Sequence, residues 1–233
     1  MNIIILYIFC ILIFILLVKN LCFKRESYKN STTIYIITRT GKRKQCFLNL
    51  KRSLQRQTYK NFVHYKTNDN ISNSFLKKEK NVLPVTPLVK REKMHCPYNT
   101  YLNIPISLID GWILIIDDDT KFTNRHFLNK LQKLCNKTSP MDVILLKIFY
   151  GKEKRILPVD NQIRKSNIDM ANICIHSSLL KKYPFDENCY ADWRLVEKLQ
   201  KDKINFIVDE TLPLGIWANY SGKMDGYEKQ CIR

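Results

Sequence analysis

"GWILIIDDDT", residues 111–120, decides how the rest of the chain is read. Four consecutive apolar residues, Ile113–Ile116, run straight into three adjacent carboxylates, Asp117, Asp118 and Asp119. A short unbroken aliphatic run is the pattern of a strand buried on both faces, as in a parallel sheet covered by helices. In open α/β sheets ligands bind beyond the carboxyl ends of the strands, which is where these three side chains stand. Adjacent negative charges repel one another and favour a cation among them. Hard oxygen donors with no His or Cys cluster nearby suit Mg2+ or Mn2+, ions that typically bridge to substrate phosphates. The stretch therefore points to a metal–diphosphate site at a strand end. The alternative is a turn in which Asp119 or Thr120 caps a following helix.

Working outward, "TIYIIT" (33–38) is a β-branched strand, followed by the loop "RTGKRK". Phe47, Leu50 and Leu54 recur at helical spacing and predict a helix over 44–57. "NFVHYKTND" (61–69) is a second strand, and it brings Asp69 to another strand end. Residues 70–97 are Lys-rich and irregular, and a helix follows near 98–109, ahead of the strand Trp112–Ile116. Then come an amphipathic helix in "NRHFLNKLQKLC", a strand "DVILLKIFY", a strand "ANICIH", a helix "ADWRLVEKLQ" and a last strand "INFIVD". Strands alternating with helices imply an α/β/α sandwich around a mostly parallel sheet.

The chain has 233 residues, with 39 Lys and Arg against 21 Asp and Glu, a formal net charge of +18. The excess is spread along the chain. It suits anionic partners such as nucleotide phosphates or a membrane surface, and a Lys-, Asn- and Ile-rich composition accounts for it equally well. Residues 3–18 are an unbroken apolar run, and counting on to Phe23 the segment approaches the length that spans a bilayer. No basic residues precede it and no small-x-small site follows it, so it reads as a retained anchor (1–23), then a linker (24–32) and a catalytic domain (33–233). Lys19, Lys24 and Arg25 follow the span, and the positive-inside rule then favours a cytosolic domain, with an ER or Golgi lumen as the alternative. The 8 cysteines include no CxxC pair. Cys46, Cys135, Cys174 and Cys189 read as reduced core thiols.

Three stretches carry a family resemblance. "IITRTGKRKQCFLNLKRSLQRQTYKNFVHYKTND" resembles the opening of family 2 glycosyltransferases, and "YNTYLN" followed by "GWILIIDDDTKF" is similar to their approach to the D-x-D motif. "NCYADWRLVEKL" resembles the acidic helix start that carries their catalytic base. The likeness covers about residues 33–200. It implies a GT-A fold, a UDP- or GDP-sugar donor, Mn2+ or Mg2+, and inversion at the anomeric carbon. By the same resemblance Thr38 lines the nucleotide pocket, Asp69 reaches the base, and Asp117 lies near the ribose. Asp119 binds the metal, Asp118 belongs to the same donor site, and Asp192 is the general base. The chain departs from the family after the second strand, where "NDNIS" replaces Asp-Asp-Gly-Ser. It also lacks Gln-x-x-Arg-Trp, which favours transfer of a single sugar to a glycan, lipid or protein hydroxyl rather than processive synthesis.

The chemistry fits these residue types independently of the family. A departing nucleoside diphosphate needs positive charge on its oxygens, and an attacking hydroxyl needs an aligned base. Asp192 opens a helix and has a helix-cap reading as well. Arg39, Arg43 and Lys44 either meet phosphates or belong to a solvated loop. His176 sits at a strand end, and Trp193, Trp217 and the segment 219–227 are further candidates for donor contact. Two other classes compete: a metal-dependent nuclease or nucleotidyltransferase, and a non-catalytic membrane-anchored binding protein. Nucleic acid is not the expected partner.

Overall fold

The structure is a computed structural model, and it describes residues 32–41, 43–68, 74–85, 97–188 and 190–219. The expected anchor and linker, Asp69, and all of 219–227 except Asn219 lie outside these residues. In chain order the elements are β1 (Ile34–Thr40), α1 (Lys44–Gln55), β2 (Phe62–Asn68), β3 (Val82–Pro84), α2 (Asn103–Leu108), β4 (Trp112–Asp117), β5 (Lys121–Phe122) and α3 (Phe127–Cys135). They continue as β6 (Val143–Leu145), β7 (Ile148–Tyr150), β8 (Arg155–Leu157), β9 (Ile173–His176), α4 (Ser177–Lys182), α5 (Ala191–Lys201), β10 (Phe206–Val208) and β11 (Ile216–Ala218).

The apolar run of β4 is buried on both faces, as its composition requires. None of Ile113–Ile116 is more than 2% exposed. The two-residue period of a strand sends alternate side chains to opposite layers. Leu114 and Ile116 pack with Leu50 and Leu54 of α1 and with Phe127, Leu128 and Leu131 of α3. Ile113 and Ile115 pack with Ile106 of α2, Leu179 and Leu180 of α4, and Leu195, Val196 and Leu199 of α5. Burying each such side chain is worth about 1.5–3 kcal/mol relative to exposure, so the β4 run alone anchors both layers.

The central sheet has seven strands in the order β10-β6-β9-β4-β1-β2-β3. β1 pairs in parallel with β2 and with β4, β2 with β3, and β6 with β10, while β9 runs antiparallel to both β4 and β6. The expected mostly parallel α/β/α sandwich is present. A second sheet, β5-β11-β7-β8, lies beyond the reach of the sequence reading.

Three expectations need correction. "DVILLKIFY" is not one strand: β6 belongs to the central sheet and β7 to the second. Between them the chain turns at Leu146, whose N–H donates to the Asn172 carbonyl. The buried Asn172 side chain donates to the carbonyls of Leu146 (2.7 Å) and Leu157 (2.9 Å), satisfying backbone groups that leave the ladder. Cys46 is disulfide-bonded rather than reduced, while Cys135 and Cys174 are the free, buried thiols expected. Finally, the carboxylates of 117–119 cap no helix, because β5 comes next and α3 begins only at Phe127. No helix among the described residues is long and apolar enough to cross a membrane.

Candidate active site

The parallel register of β1 on β4 sets Arg39 directly opposite Asp117. The Arg39 guanidinium donates to Asp117 Oδ1 from both Nε (3.1 Å) and Nη2 (2.8 Å). Burial works to raise the Asp117 carboxyl, but Arg39, with help from Arg43, holds it below its ordinary range. Asp118 and Asp119 form the turn that follows, closed by the Thr120 N–H on the Asp117 carbonyl. The Asp118 side chain is wholly buried. It accepts from the Gly41 amide (3.0 Å) and is ion-paired with Arg43. Arg43 also donates to Asp119 Oδ2 at 2.7 Å.

One guanidinium thus bridges two adjacent carboxylates while a second caps the third. Burial pushes Asp118 up to about 7; Arg43 and the Gly41 amide oppose that shift, and Asp117 and Asp119 add to it. Arg43 loses charge stability to burial but gains more from the three carboxylates, so it stays protonated. The exposed, solvated loop considered for Arg39 and Arg43 is not what the chain adopts: their side chains are 23% and 16% exposed.

Asp192 is the second residue of α5, whose cap position is Tyr190 in the left-handed region (φ 64°), with no side-chain cap. Asp192 accepts from the Trp193 amide at 2.8 Å. Burial raises its carboxyl; the Trp193 amide and Arg39 oppose the shift, and Asp117 adds to it, which places Asp192 within electrostatic reach of the β4 end. A hydrogen-bonded path runs from Arg39 toward the segment that precedes α5. Arg39 donates to Asn99 Oδ1, and Asn99 Nδ2 donates to the Asn188 carbonyl (2.8 Å), two residues before the α5 cap.

Thr38 is fully buried, its hydroxyl 2.8 Å from His64 Nε2, so it lies beneath the surface of the strand ends. Burial and the neighbouring Lys66 and Lys51 keep His64 well below its ordinary value, hence neutral. His176 is far from the carboxylates: it pairs with Trp112 at the opposite end of β4 and accepts from the Ser178 amide. Trp193 packs against the core at its edge. Trp217 stands in the second sheet, edge-on to Phe149, with Lys121 Nζ 4.1 Å from its ring centre.

Asp169 is a residue the sequence reading missed. Its carboxyl accepts from the Ala171 amide and is pushed by burial up to about 7, with Asp117, Asp192 and Asp119 each adding to the shift. It carries no motif, and its only sequence signal is a polar residue ahead of a strand.

No family model matches the sequence, and no curated protein matches it. Solved structures do. TarS 1–349 of S. aureus aligns at a TM-score of 0.58 with 16% identity over 80% of this chain and 60% of that one. Its complex with UDP-GlcNAc aligns at 0.60 with 15% identity, covering 80% and 58%. The mannosyltransferase PcManGT from Pyrobaculum calidifontis, in complex with GDP-Man and Mn2+, aligns at 0.54 with 12% identity, covering 78% and 55%. The chain shares the α/β fold of these structures, a mannosyltransferase among them. It spans about 60% or less of the length of these structures, so the likeness is to their fold and not to their full extent. Within that fold the strand-end carboxylates occupy the carboxyl edge of the sheet, where α/β proteins of this kind take up ligands.

Proposed function

We propose that the chain is a glycosyltransferase that moves one sugar from a nucleoside-diphosphate sugar to an acceptor hydroxyl, with inversion at the anomeric carbon. The observation that carries the reading is the convergence of the 117–119 carboxylates, two arginines from β1 and its loop, and Asp192 at one end of a glycosyltransferase fold. Neighbours solved with UDP-GlcNAc and with GDP-Man support a UDP- or GDP-sugar donor.

A divalent ion, Mn2+ or Mg2+, fits here only as a shared ligand. Among the described residues no group of three or more His, Cys, Asp or Glu side chains is arranged to hold one. Asp119 and Asp117 would hold it, with diphosphate oxygens completing a shell of hard donors. When bound, such an ion neutralises charge on the departing diphosphate. Arg39 and Arg43, already placed among anionic groups, orient the diphosphate from the β1 side. Asp192 accepts the acceptor's hydroxyl proton, and its raised proton affinity makes it a stronger base than an ordinary carboxylate. Thr38 acts from beneath by fixing His64 across the internal β1–β2 pairing, and Asp69 is expected to face the nucleobase.

The disulfide at Cys46 favours an oxidising compartment, and with it the lumenal alternative over a cytosolic domain. The membrane anchor remains the expectation for residues 1–23. A screen of nucleotide sugars for slow donor hydrolysis, read as release of UDP or GDP, tests the function. Release from one donor that stops with Asp119→Asn supports it. No release from any UDP- or GDP-sugar, with acceptor mixtures supplied, refutes it.

A further inference from the structure

The residue expected to hold the metal is the one that Arg43 covers. Asp119 is 3% exposed, with the Arg43 guanidinium 2.7 Å from its Oδ2, whereas the Asp117 side chain is 41% exposed. A divalent ion at Asp119 would sit beside a fixed positive charge, and that repulsion weakens its binding whatever the exact distance. Arg43 cannot simply leave. Its other partner, Asp118, is wholly buried and has only the Gly41 amide besides, so departure would leave a buried carboxyl short of hydrogen-bond partners, which costs stability in either protonation state. The two contacts of Arg43 are therefore unequal: the one to Asp118 is structural, and the one to Asp119 is exchangeable.

We infer that Arg43 makes capture of the divalent ion conditional on the nucleoside diphosphate. This rests on the proposed function, since it assigns a role within that same site. A diphosphate offers Arg43 a second anion in place of Asp119 and brings oxygen donors that the protein lacks. Arg43 pivots on Asp118, releases Asp119, and the ion enters with the nucleotide. Without nucleotide, Asp119 stays paired and the ion is excluded. With Arg39 on Asp117, the arrangement sets two guanidinium charges against the three adjacent carboxylates while no nucleotide is bound.

The test is Mn2+ titration followed by electron paramagnetic resonance of the free ion, with and without UDP or GDP. The wild type is expected to bind Mn2+ saturably only when nucleotide is present. Arg43→Gln is expected to bind Mn2+ alone at least about tenfold more tightly than the wild type does. Because Arg43→Gln leaves Asp118 buried without its partner, a second variant combines it with Asp118→Asn; the same gain is expected there, and circular dichroism establishes which variant is folded. Equal Mn2+ affinity of wild type and folded variant without nucleotide overturns the inference alone, if the wild type binds Mn2+ with nucleotide. Tight binding of Mn2+ to the wild type without nucleotide also overturns it. Failure of every protein to bind Mn2+ even with nucleotide overturns both the inference and the metal's part in the proposed function.

Discussion

At the end of β4 three carboxylates stand on consecutive residues and every one is paired with a guanidinium, while at the start of α5 Asp192 is held only by amides of its own helix turn. The same side chain, at the same end of the same sheet, is treated in two ways. Asp117 is held below its ordinary range by Arg39, whereas Asp192 is lifted above its ordinary value by burial that distant Arg39 only partly offsets. The first setting keeps charge fixed and ready to exchange partners. The second raises affinity for a proton. Binding and proton transfer make opposite demands on a carboxylate, and under the proposed function the register of β1 against β4 would serve the first and the left-handed turn at Tyr190 that starts α5 the second.

The largest effect should come from breaking the Asp192 side of this contrast. Asp192→Asn is expected to lower turnover onto an acceptor by about 10²–10⁴, the usual contribution of a positioned base, while leaving nucleotide and metal binding nearly intact. The acid limb of its rate profile should lie above the ordinary carboxylate range, because a base with raised affinity for protons is lost earlier as pH falls. Full activity in Asp192→Asn would remove it from the mechanism.

Next comes the paired side. Asp118→Ala removes the buried partner of Arg43 and the acceptor of the Gly41 amide, and should lower stability by about 3 kcal/mol in urea unfolding, the low end for a broken buried pair because Asp119 still holds Arg43. A loss well below 1 kcal/mol would show that the pair is solvated. Thr38→Val, which leaves the buried His64 ring without its partner, should cost about 1–2 kcal/mol. Stability measured with and without nucleotide should fall equally, since Thr38 acts from the interior.

The smallest effect concerns pH. His64 is neutral in the fold because burial depresses its pKa below 6.5, so it contributes stability that is present above that value and lost as pH falls below it. Asp118, raised to about 7, acts in the opposite sense: its contribution is present at low pH and lost as pH rises through about 7. The clean readout is therefore a difference. The stability advantage of wild type over His64→Gln should shrink between pH 7.5 and pH 5, and an unchanged difference would mean that His64 is solvated.

Much of the central sheet was legible because β4, β1 and the three longest helices are long enough for periodicity to speak. The two-sided burial of Ile113–Ile116 follows from composition alone. What escaped was short or non-local. β3, β5 and β11 have two or three residues each and exist only through their neighbours. The break at Leu146 depends on Asn172, a residue 26 positions away. In the site, Asp117–Asp119 and Asp192 were visible as motif and helix start and Arg39 and Arg43 as candidate phosphate contacts, but the pairing of those arginines with the carboxylates was not, because Asp117 and Asp119 lie 78 and 76 residues on and the β1–β4 register brings them together. Asp169 had no more than a polar residue ahead of a strand to mark it.

Isothermal titration of UDP and GDP into the wild-type chain and into Asp119→Asn, with and without Mn2+, decides whether the 117–119 carboxylates form a nucleotide–metal site. One nucleotide should bind the wild type with Mn2+ and weaken by about tenfold or more, roughly 1.4 kcal/mol, when either Mn2+ or the Asp119 charge is removed. Binding of neither nucleotide under any condition, or binding indifferent to both Mn2+ and Asp119→Asn, would contradict that assignment.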